Sequence, residues 1–214
     1  MKSFKTIVES NFKKNREEDE SSIQHLHSSL RDHYHTFESH HLGEIHDYTL
    51  GSYGVNSYQW DKHVGYQNTP SYSMLYDEKT KQLDAALNHY KTPHKLTLYS
   101  GMKLDPRKRM DNGVLYHPAY LSTSLSKSIG KKFGYIGPNT EGASVHHVLN
   151  IKVPKGHPGA YVEHVSLNKR EHEFILPRGL KLKHIKTDVH NFDEGREDYP
   201  DKRQVLEHHM EIVK

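Results

Sequence analysis

Two glutamates stand one residue apart near the end of the chain, in the stretch KREHEFILPRG at residues 169–179. Glu171 and Glu173 come just before a short apolar run that is typical of a buried strand. If this segment is extended, both carboxylates project from one face, about 7 Å apart, because side chains alternate along a strand. Two negative charges this close repel each other unless solvent or a cationic ligand lies between them. The pattern fits a catalytic carboxylate pair, and it also fits a solvated strand end.

The second half of the chain predicts the strands that would position this pair. Apolar residues alternate with polar ones in several short segments bounded by glycine or proline, which is typical of strands. The segment AYLSTSLSKSIGKKFG joins a strand end to a short helix, and DVHNFDEGREDYPDK predicts a charged loop. The predicted strands, in chain order, are KLTLYSG, HHVLNIKVPKG, EHEFILPRG and LKLKHIKTD, and the later segment VLEHHMEIVK has Leu206, Met210 and Ile212 on one face.

The first half predicts helices. Ser21 and Ser22 can cap a helix whose apolar residues recur every three or four positions. Residues 46–75 are rich in glycine, tyrosine and serine and predict a loop, and the segment DEKTKQLDAALNHYK then predicts a second helix that ends before Pro93. Helices followed by strands indicate an α+β domain. The apolar positions of the two helices are Ile23, Leu26, Leu30, Tyr34 and Phe37, then Leu83, Ala86, Leu87 and Tyr90.

Composition excludes several classes of protein. The chain has 214 residues, a net charge of +3 and a pI near 8.8, a balance too weakly basic to indicate nucleic-acid binding. The absence of cysteine excludes disulfides and thiolate nucleophiles. No stretch approaches the ~20 apolar residues of a membrane helix, and the N-terminus lacks the apolar core of a secretory signal. We therefore expect a cytoplasmic protein that does not insert into membranes.

Motif searches exclude the commonest nucleotide and metal sites. The 20 histidines are scattered, without an HExxH or comparable spacing, so the sequence predicts no metal site. There is no GxGxxG dinucleotide fingerprint, no GxxxxGK[ST] phosphate loop and no GxSxG elbow. The glutamate pair therefore remains the strongest chemical signal.

Three segments taken together resemble a known family. They are LYSG at 98–101, LSTS at 121–124, and VPKGHPGAYVEHVSLNKREHEFILPRG at 153–179. In this order they are similar to the arginine-type mono-ADP-ribosyltransferases, whose signature is Arg, then Ser-Thr-Ser, then Glu-x-Glu. The resemblance covers residues 45–214 and leaves 1–44 as an N-terminal helical extension. It implies N-terminal helices packed on a mixed β core of two sheets. Within the family, the chain is similar in its small size to the phage-encoded Alt and Mod enzymes.

The resemblance implies a role for each glutamate. These enzymes use NAD as co-substrate and break its nicotinamide–ribose bond through a transition state with oxocarbenium character. By position, Glu173 would stabilise the positive charge on the ribose, and Glu171 would orient the incoming guanidinium and help to remove its proton. Ser122 would fix the strand and orient Glu173.

The resemblance also implies a cleft for NAD and a loop for the protein substrate. Tyr99, Ser100 and Gly101 would lie along the cleft, and Thr123 and Ser124 would shape its floor. A second interpretation of Ser124 is that it caps the following helix. The loop at 161–170 occupies the place where the family contacts its target, although a plain solvated loop is also consistent. Its candidate target contacts are Tyr161, His164 and Asn168.

One position departs from the family pattern. Ser100 stands where arginine usually holds the NAD phosphate, and a serine supplies no fixed charge. Three explanations are open: a nearby cation substitutes, NAD is held by backbone and hydroxyl donors, or the protein has lost catalysis. The candidate substitutes are Lys103, Arg107 and Arg109.

The sequence therefore predicts an enzyme that moves ADP-ribose from NAD to arginine on target proteins. Host transcription or translation proteins are the expected targets if the chain is phage-encoded. The alternatives are an NAD glycohydrolase, with water as acceptor, and a binding module that kept the fold without catalysis. A nucleic-acid acceptor is permitted by the mild positive charge but not indicated by it.

Overall fold

The computed structural model describes residues 23–34, 39–133, 143–166, 168–193 and 202–213. None of the helices within these ranges is both long and apolar enough to cross a bilayer. The helices are α1 (23–34), α2 (Ser39–Leu50), α3 (Tyr53–His63), α4 (Pro70–His89) and α5 (Lys127–Phe133), with a 3-10 turn at Pro106–Arg109. The strands are β1 (Leu96–Met102), β2 (Met110–Asp111), β3 (Val114–His117), β4 (Leu121–Ser124), β5 (Ala143–Val153), β6 (Ala160–Tyr161), β7 (Glu173–Leu176), β8 (Leu180–Asp193) and β9 (Lys202–Val213).

The strands form a mixed sheet in the order β2-β3-β8-β9-β5-β1-β4-β7-β6. The β5–β9 pair is parallel and the other described pairs are antiparallel. The α+β class with a mixed sheet is confirmed, but the expected two sheets are one hydrogen-bonded sheet. The reason is that β1, which pairs with β5 along one edge, also pairs with β4 at Tyr99 and Ser124, and this contact joins β4, β7 and β6 to the rest of the sheet.

The helices pack their apolar residues onto this sheet. Leu30 and Tyr34 of α1 are fully buried in the same core cluster as Leu87 of α4 and Phe174 of β7. The Tyr34 hydroxyl lies 3.2 Å from the carbonyl of Gly159, which it can reach as a hydrogen-bond donor. Residues 23–34, which we assigned to an extension, therefore contribute to the core that supports β7. Phe37 lies outside the described residues.

The loop predicted at residues 46–75 is wrong over most of its length. This region contains the end of α2, all of α3 and the start of α4, which begins with Pro70 in its first turn. Tyr48, Val55 and Tyr58 are buried on these helices. Burial of these side chains outweighs the low helix propensity of the neighbouring glycines and serines, a common outcome because propensity is a weak prior.

Gly159 permits a close approach between the chain before β6 and strand β7. Its φ is +141°, and a Cβ added there would lie 2.6 Å from a ring carbon of Phe174 and 2.8 Å from the carbonyl oxygen of Ile175. No side chain larger than hydrogen fits between these groups. The glycine in the GAY stretch therefore sets the position of β7 and of the glutamate that opens it.

Gly159→Ala is expected to lower the free energy of unfolding by about 1–3 kcal/mol, since the added methyl meets backbone and ring and the φ is strained. Urea denaturation followed by circular dichroism measures this. Gly156→Ala is the matched control, because Gly156 also has positive φ (+80°) but has no atom within 4 Å of the added Cβ. Equal losses in the two variants would contradict the close-approach explanation.

Candidate active site

The register between β4 and β7 places the Ser-Thr-Ser motif beside Glu173. Ser124 lies opposite Glu173, and Ser122 lies opposite Ile175. Residues two apart share one face of a strand, so Ser122 and Glu173 are diagonal neighbours on the same face. The Ser122 hydroxyl donates a hydrogen bond to the Glu173 carboxylate. The contact expected between these two residues is therefore present.

A series of hydrogen-bonded side chains connects the helices to this carboxylate. The Tyr48 and Ser122 hydroxyls lie 3.2 Å apart and share a hydrogen bond in which either can be the donor. Asn56 Nδ2 in turn donates to the Tyr48 oxygen over 3.1 Å. Ser122 is the member of this series that acts on Glu173 directly, and its hydrogen bond lowers the pKa of that carboxyl. Tyr48 and Asn56 lie in the region we predicted as a loop, and no pattern of residues indicated a role for them.

Glu173 is buried, with 9% of its surface exposed. Burial raises its pKa to about 7, the Ser122 hydrogen bond lowers the pKa, and the charges of Glu171 and Glu163 raise it further. Desolvation disfavours the charged form, which is why burial dominates. A carboxylate with a pKa near neutrality in a polar cleft is a common property of catalytic groups.

Glu171 does not lie on the strand, so the alternation that we used to pair it with Glu173 does not apply. Strand β7 begins at Glu173, and the preceding turn has positive φ at Arg170 (78°) and His172 (48°). The turn nevertheless brings the two carboxylates within electrostatic reach, because the charge of Glu171 raises the pKa of Glu173. Glu171 is half-buried; burial raises its pKa, and the charge of Glu163 adds to this.

The other two residues of Ser-Thr-Ser hold the glutamate segment through its backbone. Ser124 Oγ donates to the carbonyl of Glu171 over 2.6 Å, and Thr123 Oγ1 donates to the carbonyl of Phe174 over 2.6 Å. The cap of α5 is instead Ser126, whose hydroxyl accepts from the Ile129 amide at 3.3 Å. Thr123 and Ser124 therefore fix the Glu-x-Glu segment, and their place in the floor of an NAD cleft stays a prediction.

Strand β1 borders the same motif. Tyr99 lies opposite Ser124, and Gly101 lies opposite Val148 of β5. Ser100 is buried, and its hydroxyl donates to the carbonyl of Ser122 over 2.9 Å. The serine that replaces the family arginine thus braces β4 at the residue that contacts Glu173.

The two candidate substitute arginines contact other side chains. The Arg107 side chain donates to both carboxylate oxygens of Asp105, with Nη2 at 2.8 Å from Oδ2. The guanidinium of Arg109 lies 5.3 Å from the ring centre of Trp60. Both cations have other partners, and their proposed role at NAD stays a prediction. Lys103 is exposed.

Glu163 is the residue at this site that sequence reasoning missed. It is 9% exposed, and its carboxylate accepts the backbone amide of Arg170 at 2.5 Å and that of His172 at 2.7 Å. These are the two residues with positive φ on either side of Glu171. Glu163 therefore holds the strained turn that carries Glu171. The one available signal was a lone charge within the otherwise apolar segment AYVEHV.

The candidate target contacts divide into a buried and an exposed part. Tyr161 is fully buried and its hydroxyl lies 2.5 Å from His27 Nδ1 of α1, so the expected contact of Tyr161 with a protein substrate is wrong. The apolar ring belongs to the core because β6 pairs with β7 at this residue. His164 is half-buried and Asn168 is exposed, so Asn168 stays the better candidate.

Glu163→Gln is expected to reduce the rate of nicotinamide release by about 10-fold or more. The amide NH2 of glutamine cannot accept one of the two backbone hydrogen bonds of the turn, and a small misplacement of a catalytic group lowers the rate steeply. Removal of the Glu163 charge should also lower the pKa of Glu171 and Glu173, and so move the pH profile of nicotinamide release toward acid. Rates of nicotinamide release from pH 5 to 9 measure both effects. Glu211→Gln, at an exposed position of β9, is the control. An unchanged profile in Glu163→Gln would contradict the role.

Comparison with known proteins agrees with this arrangement. The model of the ADP-ribosyltransferase exoenzyme family matches residues 20–207. An NAD(+)–arginine ADP-ribosyltransferase of Enterococcus faecalis is 31% identical over 102 residues, which are 47% of this chain and 20% of that protein. The matched part thus spans about a fifth of that relative.

Solved structures show the same fold. Plx2a, an ADP-ribosyltransferase toxin from Paenibacillus larvae, has a TM-score of 0.64 at 20% identity, over 94% of this chain and 97% of that one. C3stau2 from S. aureus, solved with NAD, has a TM-score of 0.57 at 17% identity, over 87% of this chain and 92% of that one. With the family match over residues 20–207 and the Ser-Thr-Ser motif hydrogen-bonded to the Glu-x-Glu segment, we conclude that this chain belongs to the ADP-ribosyltransferase exoenzyme family.

Proposed function

We propose that this chain is a mono-ADP-ribosyltransferase that moves ADP-ribose from NAD to arginine side chains of target proteins and releases nicotinamide. The observation that carries the proposal is the Glu173 carboxylate, buried against the Ser122 hydroxyl and within electrostatic reach of Glu171. The family match and the name of the Enterococcus relative, an NAD(+)–arginine ADP-ribosyltransferase, support the same reaction.

The reaction divides the two carboxylates between donor and acceptor. The bond between the nicotinamide nitrogen and ribose C1′ breaks, its electron pair leaves with nicotinamide, and positive charge develops on the ribose. Ionised Glu173 is complementary to this charge, which appears only in the transition state. A guanidinium nitrogen then bonds to C1′, and its proton passes to the carboxylate of Glu171 and on to solvent.

The acceptor follows from the same geometry. Glu171 lies on a half-buried turn next to exposed Asn168, Lys169 and Arg170, where a side chain of another protein can approach. A guanidinium is planar and carries a fork of donors, so a carboxylate is its natural partner. Residues Tyr99, Ser100 and Gly101 of β1 lie on the other side of Ser-Thr-Ser and would border the bound NAD.

Incubation of the purified chain with NAD and two matched peptides, one with arginine and one with lysine, tests the proposal. Mass spectrometry should find one added ADP-ribose on the arginine peptide alone, together with released nicotinamide. Nicotinamide release without peptide modification would identify an NAD glycohydrolase instead. If calorimetry found no NAD binding at millimolar concentration, the chain would be a binding module that kept the fold.

The identity of the target belongs to the proposal as well. Host transcription or translation proteins, a phage origin and a cytoplasmic location stay predictions. Labelled NAD added to a bacterial lysate with the purified chain, followed by mapping of the modified residues, would identify the target. Labelling of host proteins outside transcription and translation would contradict that part.

A further inference from the structure

Two buried histidines and one carboxylate converge from three separate segments of the chain. His147 lies on β5, His208 lies on β9, and Asp105 follows the end of β1. One ligand atom of each of these three described residues lies within 4.8 Å of the others. His208 is fully buried and His147 is 7% exposed. Their distance along the chain explains why the histidine spacing in the sequence did not reveal them.

The two imidazoles face each other through nitrogen atoms. His147 Nδ1 and His208 Nε2 lie 3.0 Å apart. Two bare lone pairs repel at this distance, so a proton or a cation must lie between them. Two imidazole nitrogens bound to one tetrahedral Zn²⁺, each at ~2.0 Å, would lie about 3.3 Å apart. A shift of a few tenths of an ångström therefore converts the hydrogen-bonded pair into a pair of metal ligands.

An outer set of hydrogen bonds orients these groups. The second nitrogen of His208, Nδ1, lies 3.0 Å from Thr187 Oγ1, which lies 2.8 Å from His184 Nε2. If His208 Nδ1 carries the proton and donates to Thr187, the lone pair of Nε2 points toward His147. Asp105 is held by the side chain and the backbone amide of Arg107. Such outer partners are typical of histidine and carboxylate metal ligands.

We propose that Asp105, His147 and His208 bind one divalent transition-metal ion, with Zn²⁺ the best match. Two imidazoles and one carboxylate are a common ligand set for Zn²⁺, and water would complete a tetrahedron. The ion would join the end of β1 to β5 and β9. Its role is structural, because none of the three ligands belongs to the Glu-x-Glu or Ser-Thr-Ser motifs, and the proposal does not depend on the proposed function.

Titration of the tag-free, chelator-treated full chain with Zn²⁺ in a calorimeter tests the site. One tight site per chain is expected, with a rise in Tm that depends on Zn²⁺ concentration. Asp105→Asn and His147→Gln should each lose the site, and Thr187→Val, which removes only the outer hydrogen bond, should weaken it about 10–100-fold. Mg²⁺ should not bind there, since it prefers oxygen ligands.

His209→Gln is the matched control, because His209 neighbours His208 on β9 but its ring contacts Asp188 instead. This variant should keep full stoichiometry, which separates the site from weak binding by other histidines. Asp105 is only partly buried, so Asp105→Asn is expected to fold and keeps the test informative if His147→Gln does not. Equal Zn²⁺ stoichiometry and affinity in Asp105→Asn and wild type, or no tight binding by wild type, would overturn the proposal.

Discussion

Glu173→Gln is expected to abolish both nicotinamide release and ADP-ribose transfer, and at the same time to make the folded protein more stable at alkaline pH. The loss of rate should be about 10²–10³-fold or more, the usual cost of removing a preorganised electrostatic group. Glutamine keeps the shape and the hydrogen bond of Glu173 to Ser122 but has no charge to stabilise the ribose cation. Both reactions share this cation, so both should fall together.

The gain in stability follows from the pKa of Glu173. Burial raises this pKa from 4.5 to about 7 in the folded protein, which therefore favours the protonated carboxyl. The contribution of protonated Glu173 to the free energy of unfolding is fully present below pH 4.5 and is lost as the pH rises through 7. The reason is that this carboxyl loses its proton at a lower pH in the unfolded chain than in the folded protein. At pH 8 the ionised, buried carboxylate costs about 3 kcal/mol, with one pKa unit worth about 1.4 kcal/mol. Glutamine has no such cost.

Thermal unfolding at two pH values measures this effect. The Tm of Glu173→Gln relative to wild type should rise by several degrees between pH 4.5 and pH 8, at about 2–4 °C per kcal/mol for a chain of this size. The wild-type rate of nicotinamide release should rise with pH through about 7, as Glu173 ionises. Glu211→Gln should change neither curve. Retained activity in Glu173→Gln would refute the mechanism, and a Tm difference independent of pH would refute the buried charge.

Glu171→Gln is expected to separate transfer from hydrolysis. Transfer to arginine should fall by about 10²-fold or more, because the variant loses a charged partner for the guanidinium and a base for its proton. Release of nicotinamide with water as acceptor should stay within a few-fold of wild type, since the donor side of the cleft keeps Glu173 and Ser122. Parallel assays of peptide modification and of nicotinamide release measure the ratio.

Lys169→Gln controls for a general change of charge on this turn, because Lys169 is exposed two residues before Glu171. It should leave the ratio of transfer to hydrolysis close to the wild-type value. If Glu171→Gln lowered both reactions equally, the residue would act on the donor side, and the division of roles between the two glutamates would be wrong.

Local patterns in the sequence were sufficient for the strands and for the chemical motif. The pattern of apolar residues predicted β1, β5, β7 and β8, because side chains alternate between the two faces of a strand and this period can be read from residue types. The charged loop expected from Asp188 is wrong over its first six residues, since β8 continues to Asp193, and residues 194–201 of that prediction lie outside the described residues. The Ser-Thr-Ser and Glu-x-Glu motifs also identified the family, which the match over residues 20–207 confirmed.

Local patterns in the sequence do not predict which distant segments pair with one another. The burial that raises the pKa of Glu173 and the hydrogen bond from Ser124 to the Glu171 carbonyl depend on the register of β4 with β7, two segments about 50 residues apart. The hydrogen bond between Tyr48 and Ser122 depends on helices whose glycine and serine content predicted a loop. Glu163 appeared as a lone charge in an apolar segment until the turn beside Glu171 showed its two amide partners.

The sequence by itself therefore determined the family motifs and the segments that form β1, β5, β7 and β8, because both are local properties of residue type and spacing. The tertiary structure decided the protonation of Glu173, the turn that carries Glu171 and the convergence of Asp105, His147 and His208. Each of these results from long-range packing that removes polar groups from water and sets their partners, and no local pattern encodes that arrangement.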